Sequence, residues 1–255
     1  MSSSADIGTT LDGLTAAQLA ERYRLPEVAL FASVTSTLDV AHELAAGGAN
    51  AGTLVLADEQ TAGRGRQGRS WTSASGSGLW LTVIERPSEA AALDVLALRC
   101  GLFAAASLDA MADEEIRLKW PNDLYVGECK LAGILIEVRW RGPSPEWVAI
   151  GFGLNVIAPD VRSAAGLRAR TSRLAALDAL VPALRSAAAC RGHLTMNELE
   201  AFQRRDLSVG RIALTPGAGV VQGITAAGEL AVDLDGAPTM YRSGSLTFAT
   251  PLQCS

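Results

Sequence analysis

Short apolar runs and stretches with helical spacing follow one another irregularly along this chain. Thr15-Ala16-Ala17-Gln18 predicts a capping box opening a short helix through Tyr23. Phe31 to Val34 reads as a strand, and Ser36-Thr37-Leu38-Asp39 caps a second helix that ends at Gly47-Gly48. Thr53 to Asp58 and Leu79 to Ile84 read as buried strands, and residues 89–111 as the longest helix. Ile116 to Trp120 and Lys130 to Val138 predict two strands of a hairpin, with Gly127-Glu128 as the turn. Trp147 to Ile150 adds a strand. Residues 171–205 read as mostly helical, with Pro182 near an interruption. From about residue 207 short strands alternate with glycine turns: Arg211 to Leu214, Val220 to Thr225, Leu230 to Leu234 and Met240 to Ser243. The order predicts an α+β fold, a mixed and largely antiparallel sheet backed by helices, followed by a small β-barrel-like module. The expected division is a flexible segment with one short helix over 1–28, a catalytic body over 29–206 and the module over 207–255.

Composition narrows the function. Of 255 residues 49% are apolar and 19% charged, enough to bury a sizeable core, and the net charge of −5 argues against a dedicated nucleic-acid surface. The four cysteines, Cys100, Cys129, Cys190 and Cys254, form no C-x-x-C pair, which suits a reducing, cytoplasmic setting better than a disulfide framework. With only His42 and His193, a Ser-His-Asp triad or multi-histidine metal centre is nearly excluded, and His42 is expected on an exposed helix face. Met1 to Thr10 has neither the order of a secretion signal nor an apolar run, reads as a disordered tail, and no stretch suits a membrane.

The densest chemistry is Gly63-Arg64-Gly65-Arg66-Gln67-Gly68-Arg69-Ser70-Trp71. Glycines let backbone approach a ligand closely, guanidinium forks suit carboxylates and phosphates, and the indole offers a flat face for a ring. The loop matches G-x-G-x-x-G, but Thr72 to Gly78 cannot open a helix, so the dinucleotide-fold reading fails; without Gly-Lys-Ser/Thr it is no P-loop either. A bland flexible surface loop is the competing reading. A second cationic cluster is Lys119-Trp120-Pro121-Asn122-Asp123 followed by Lys130-Leu131-Ala132-Gly133-Ile134-Leu135. Strict alternation puts Lys130, Ala132 and Ile134 on one face and Leu131, Gly133 and Leu135 on the other. A lysine leading an apolar strand pays desolvation unless an anion meets it.

Gly-Arg-Gly-Arg-x-Gly-Arg-x-Trp, Lys-Trp-Pro-Asn-Asp, Lys-Leu-Ala-Gly-Ile-Leu and Gly-x-Gly-Leu-Asn-Val, in this order, resemble biotin protein ligase over about residues 33–156. The terminal module resembles that family's small SH3-like domain. The resemblance implies a catalytic domain like that of class II aminoacyl-tRNA synthetases and a biotin–[biotin carboxyl-carrier protein] ligase. Biotin and ATP would give biotinyl-5′-AMP, and a lysine of a carboxylase carrier domain would take the biotinyl group. Mg2+ would accompany ATP, with no tightly bound prosthetic group.

By motif position, Arg66, Lys130 and Lys119 are the implied catalytic residues. Ser36, Thr37, Gln60, Arg64, Arg66, Lys130 and Gly133 are implied to bind biotin. Gly63, Gly65, Arg66, Arg69, Trp71, Lys119, Asn122, Asp123 and Asn155 are implied to bind ATP. Several assignments have structural alternatives: Ser36 and Thr37 as helix caps, Trp71 as core, Asn155 as a strand-end turn residue. Asp123 either holds Mg2+ or orients a lysine. The family reads Ser-Thr-Asn where this chain has Ser36-Thr37-Leu38, which removes a polar contact and leaves Leu38 without a binding role. A lipoate–protein ligase and a non-catalytic biotin- or nucleotide-binding module are the competing functions. About thirty residues precede the first core strand, too few for two DNA-reading helices, so the expected type is monofunctional, without sequence-specific DNA binding. A weak or ligand-dependent homodimer is compatible with the resemblance.

Overall fold

The computed structural model describes residues 9–87 and 89–254, so most of the expected N-terminal tail lies outside the described residues. Thr15 opens α1 (Ala16–Tyr23) with the capping box expected of it. Then follow β1 (Val28–Val34), α2 (Thr37–Ala46), β2 (Leu54–Gln60), β3 (Gly78–Glu85), α3 (Ala91–Asp94) and α4 (Leu96–Leu108). The single long helix expected over 89–111 is thus divided, with Val95 (φ −109°, ψ 1°) at the break.

Four strands come next: β4 (Arg117–Lys119), β5 (Asp123–Val126), β6 (Cys129–Arg141) and β7 (Ser144–Asn155). The hairpin turning at Gly127-Glu128 pairs β6 with β5, a strand the sequence reading left inside a connection. α5 (Arg173–Ala189) runs straight through Pro182, and the helical stretch is interrupted instead at Cys190. Thr195 then opens α6 (Met196–Arg205) with a second capping box closed by Glu198.

The seven strands lie in the order β1-β2-β3-β7-β6-β5-β4. Only β1 and β2 run parallel; the other neighbours are antiparallel. One face packs Leu54, Leu56, Leu81 and Ile150 against Leu102 and Leu108 of α4 and Leu177 and Leu184 of α5. The other face meets α2 through Val55, Ile84 and Ala149 against Leu38, Ala41 and Ala45. Leu11 and Leu19 are buried in the first of these cores, and Arg22 and Tyr23 both bond Asp178, so residues 11–23 are packed where a flexible segment was expected.

The C-terminal strands β8 (Ile212–Thr215), β9 (Gly219–Ile224), β10 (Leu230–Leu234), β11 (Ala237–Tyr241) and β12 (Thr247–Phe248) form an antiparallel sheet ordered β11-β10-β9-β8-β12. Trp120, 1% exposed, donates its indole N–H to Gly228 O at 3.0 Å and joins this sheet to the larger one. A disulfide between Cys129 and Cys254, 125 residues apart, corrects the expectation of four unpaired cysteines; Cys100 and Cys190 are free. The two ends lie far apart in sequence, and no local spacing announces the pair.

Candidate functional site

A cavity of about 200 Å³ opens on the α2 side of the large sheet. One end is polar. Ser36 caps α2, its Oγ accepting from Leu38 N at 3.3 Å, so the capping reading of Ser36 holds structurally. Thr37 lies in the first turn and hands both its backbone N–H and its hydroxyl to Gln60 Oε1, at 2.9 and 3.1 Å. These three residues and Leu38 line the cavity. Leu38 is 4% exposed and packs over Gly151, where a Cβ would come within 3.1 Å of its side chain.

The opposite end is cationic. β5 and β6 deliver Asp123 and Lys130, whose Nζ meets Asp123 Oδ1 at 2.8 Å. The register shifts between Leu124 and Tyr125, so two steps of β6, from Lys130 to Ala132, oppose one step of β5. This β-bulge turns the lysine against strict alternation. Lys130 therefore shares a face with Gly133, whose Cβ position lies 3.5 Å from Lys130 Nζ, rather than with Ala132 and Ile134, which are buried in the helix-side core. Lys119 lies over the rings of Phe248 and Tyr125 at 5.5 and 5.9 Å; burial lowers its pKa, Asp123 partly opposing and Lys130 and Arg69 reinforcing the fall. Arg66 donates to Asn122 Oδ1 at 3.4 Å, and burial lowers its pKa as well. Asn122 in turn donates to Ile134 O at 2.6 Å, tying the loop's arginine to β6.

Trp71 lies over the cross-strand pair Gly133 and Gly153, with a Cβ on Gly153 only 2.6 Å from its Nε1. The Lys130 ammonium is 5.2 Å from the indole ring. Two glycines in register thus give a bulky ring a seat on bare backbone. Arg69 reaches Ser245 Oγ at 3.1 Å, and Ser245 donates to Gln67 at 2.8 Å, so the C-terminal sheet's last turn touches the arginine loop. Ser245, Leu246 and Thr247 complete the lining. Sequence reasoning missed them, since nothing in a serine–leucine–threonine run signals a site.

The structure gathers Ser36, Thr37, Gln60, Arg64, Gly65, Arg66, Arg69, Trp71, Lys119, Asn122, Asp123, Lys130 and Gly133 around one cavity. Arg64 is already paired with Asp39 (2.9 Å) and Glu137 (3.0 Å), which anchor the loop's root. Two expected residues do not line it. Gly63 is buried behind the loop, its carbonyl accepting from Trp71 N at 2.8 Å. Asn155, 5% exposed, spends its amide on Ala165 O at 3.0 Å and Lys130 O at 3.4 Å, so it braces the backbone around Lys130. His42, expected exposed, bonds Glu137 at 2.9 Å and accepts from Trp147 Nε1 at 3.0 Å. Besides Arg64, which is neutralised by Asp39 and Glu137, the four cations Arg66, Arg69, Lys119 and Lys130 line the cavity against a single lining carboxylate, Asp123. Such an excess of partly desolvated cations fits a polyanion. Among the described residues no group of three or more His, Cys, Asp or Glu could hold a metal ion, and no helix is long and apolar enough to cross a membrane.

Comparison with known proteins meets the same residues. The model of the biotin/lipoate A/B protein ligase family matches residues 30–155. The biotin–[acetyl-CoA-carboxylase] ligase of Mycobacterium tuberculosis is 30% identical over 239 residues, covering 83% of this chain and 85% of that one. The bifunctional ligase/repressor BirA of Bacillus spizizenii is 40% identical over 124 residues, 48% of this chain, which there spans only 38% of the relative's length. A solved biotin protein ligase from Aquifex aeolicus shares the fold, with a TM-score of 0.75 at 24% identity over 88% of this chain and all of the other.

Proposed function

The chain belongs to the biotin protein ligases of the biotin/lipoate A/B protein ligase family, and from that premise we propose that it joins biotin to ATP as biotinyl-5′-AMP and passes the biotinyl group to a lysine of a biotin carboxyl carrier domain. The observation that carries this reading is the polarity of one cavity: hydroxyls and an amide at one end, four cations around one carboxylate at the other. A neutral polar ring with an acidic tail, beside a triphosphate, matches both ends.

In the first step an oxygen of the biotin carboxylate attacks the α-phosphorus, and the bond to the bridging oxygen breaks to release pyrophosphate. Two anions must approach, so preorganised cations supply the main stabilisation. Lys130 stands at the junction as the principal electrostatic group, oriented by Asp123. Lys119 and Asn122 support the phosphates, and Arg66 closes over carboxylate and phosphate. Arg69 and Gly65 serve the nucleotide, and Trp71 offers adenine its indole face. In the second step the carrier's lysine amine attacks the anhydride carbonyl and AMP leaves. The arginine loop guards the adenylate from water in between. Mg2+ arriving with ATP would neutralise part of the triphosphate charge. Asp123, the one lining carboxylate, is paired with Lys130 in the free protein, which supports it as the lysine's orienter.

The same reading makes residues 29–206 the catalytic unit and 207–255 an SH3-like module that buttresses the arginine loop. It also makes the protein an enzyme without sequence-specific DNA binding, with self-association at most weak or ligand-dependent. The test is incubation with biotin, ATP, Mg2+ and a purified carrier domain, followed by mass spectrometry. One biotinyl group on one carrier lysine is expected, with lipoate inert; an unmodified carrier refutes the transfer step.

A further inference from the structure

Thr82 does not line the cavity, yet it stands directly behind the polar end. It is fully buried on β3, between Val55 of β2 and Gly151 of β7. Its hydroxyl lies 2.9 Å from Thr37 Oγ1. Donor and acceptor capacity fixes which of the two donates. Gln60 Oε1 accepts the Thr37 backbone N–H at 2.9 Å, so the amide turns its oxygen to Thr37, and the Thr37 hydroxyl at 3.1 Å must donate to it. A hydroxyl has one hydrogen, so Thr37 Oγ1 can only accept from Thr82. Beyond Gln60 the direction continues: its Nε2 donates to Ser73 Oγ at 2.8 Å, and Ser73 donates to the Trp71 carbonyl at 3.4 Å. Every donor from Thr82 to the arginine loop points the same way.

What this chain leaves unused is specific. Thr37 Oγ1 keeps one lone pair, Gln60 keeps one N–H, and Ser36, whose oxygen accepts from Leu38 N at 3.3 Å, keeps its hydroxyl hydrogen. One acceptor beside two donors complements a group that presents an N–H next to a carbonyl. A cyclic urea is such a group. We propose that Thr82 is a positioning residue: by donating to Thr37 Oγ1 it holds the remaining lone pair of Thr37 towards the ligand's urea N–H. The proposal rests on the biotin reading given above.

Valine is close to threonine in shape and strands no buried donor here, because Thr37 still donates to Gln60. The test compares wild type, Thr82→Val and Thr82→Ser by calorimetric titration with biotin alone and by the KM values for biotin and ATP in adenylation. Thr82→Val is expected to weaken biotin binding and raise its KM by about twofold to tenfold, the worth of one hydrogen bond. The KM for ATP should stay put, and serine should restore the wild-type values. A valine variant with wild-type biotin affinity, or one that loses ATP and biotin affinity alike, overturns the proposal. If valine lowers the melting temperature sharply, titrations well below that temperature, normalised to the folded fraction, must still show weakened biotin binding with ATP binding unchanged, or the proposal fails. Wild-type protein that binds no biotin would instead overturn the reading beneath it.

Discussion

Replacing Gly153 with alanine tests whether the seat of Trp71 matters to nucleotide binding. The added methyl would lie 2.6 Å from the indole Nε1, 2.7 Å from Cε2 and 3.2 Å from Cζ2. Carbon atoms rest about 3.5–4.0 Å apart, so the ring must rise by roughly 1 Å. The loop cannot simply follow, because Trp71 N is bonded to Gly63 O at 2.8 Å. The ring also leaves its edge contact with Trp80, centroids 6.5 Å apart, and its place 5.2 Å from the Lys130 ammonium. Overpacking of this kind costs about 1–3 kcal/mol, and the displaced cation–π contact adds about 0.5–1 kcal/mol at most. If the seated indole is the face adenine uses, up to that whole cost can appear in nucleotide binding, and the KM for ATP in biotin-dependent adenylation should rise by about fivefold to several hundredfold. Gly133→Ala, whose methyl would meet only Cζ3 at 3.2 Å, should do much less. A Gly153→Ala protein whose melting temperature falls while its KM for ATP stays within about twofold of wild type refutes the assignment of Trp71, and an unchanged melting temperature refutes the seat itself.

Lys130→Ala removes the cation 2.8 Å from Asp123 and should slow adenylate formation about a hundredfold to a thousandfold in single-turnover assays; wild-type rates would contradict its role. Arg66→Gly should loosen the loop's hold, read as free biotinyl-5′-AMP accumulating in solution faster than with wild type; equal release contradicts it. Cys254→Ser opens a crosslink spanning 125 residues and should lower the unfolding free energy by up to about 5 kcal/mol in urea titrations, with no shift as the contrary result. Lys119 has a folded-state pKa below its ordinary 10.5, so folding sheds a proton between the two values and stability of the free protein should climb as pH rises through that window. ATP restores a charge partner, so its binding at alkaline pH should take up protons, measured as a dependence of binding heat on the buffer's ionisation enthalpy; buffer-independent heats would refute this.

Much of the site is legible in the sequence because its chemistry is local. Gly63 to Trp71 and Lys119 to Asp123 are contiguous runs whose residue types announce an anion site before any fold is known. Strand and helix positions follow period and caps, as with Thr15, Ser36 and the strands beginning near Lys130 and Trp147. The failures share a physical cause, dependence on residues distant in sequence. The facing of Lys130 hinges on a bulge between β5 and β6, invisible to strict alternation. Asn155 looks like a pocket residue until the backbone of Ala165 comes to meet it. Ser245 and Thr247 enter the cavity because the second sheet docks there, and Cys129 finds its partner 125 residues further along the chain. Thr82 looks like any strand threonine until α2 sets Thr37 against it.

The most direct measurement of the central claim is pyrophosphate exchange into ATP, with purified protein, Mg2+ and biotin, and lipoate as control. Exchange that requires biotin, ignores lipoate and disappears in Lys130→Ala is the predicted result. Exchange with neither acid from folded wild-type protein would contradict the assignment of this cavity to biotin adenylation.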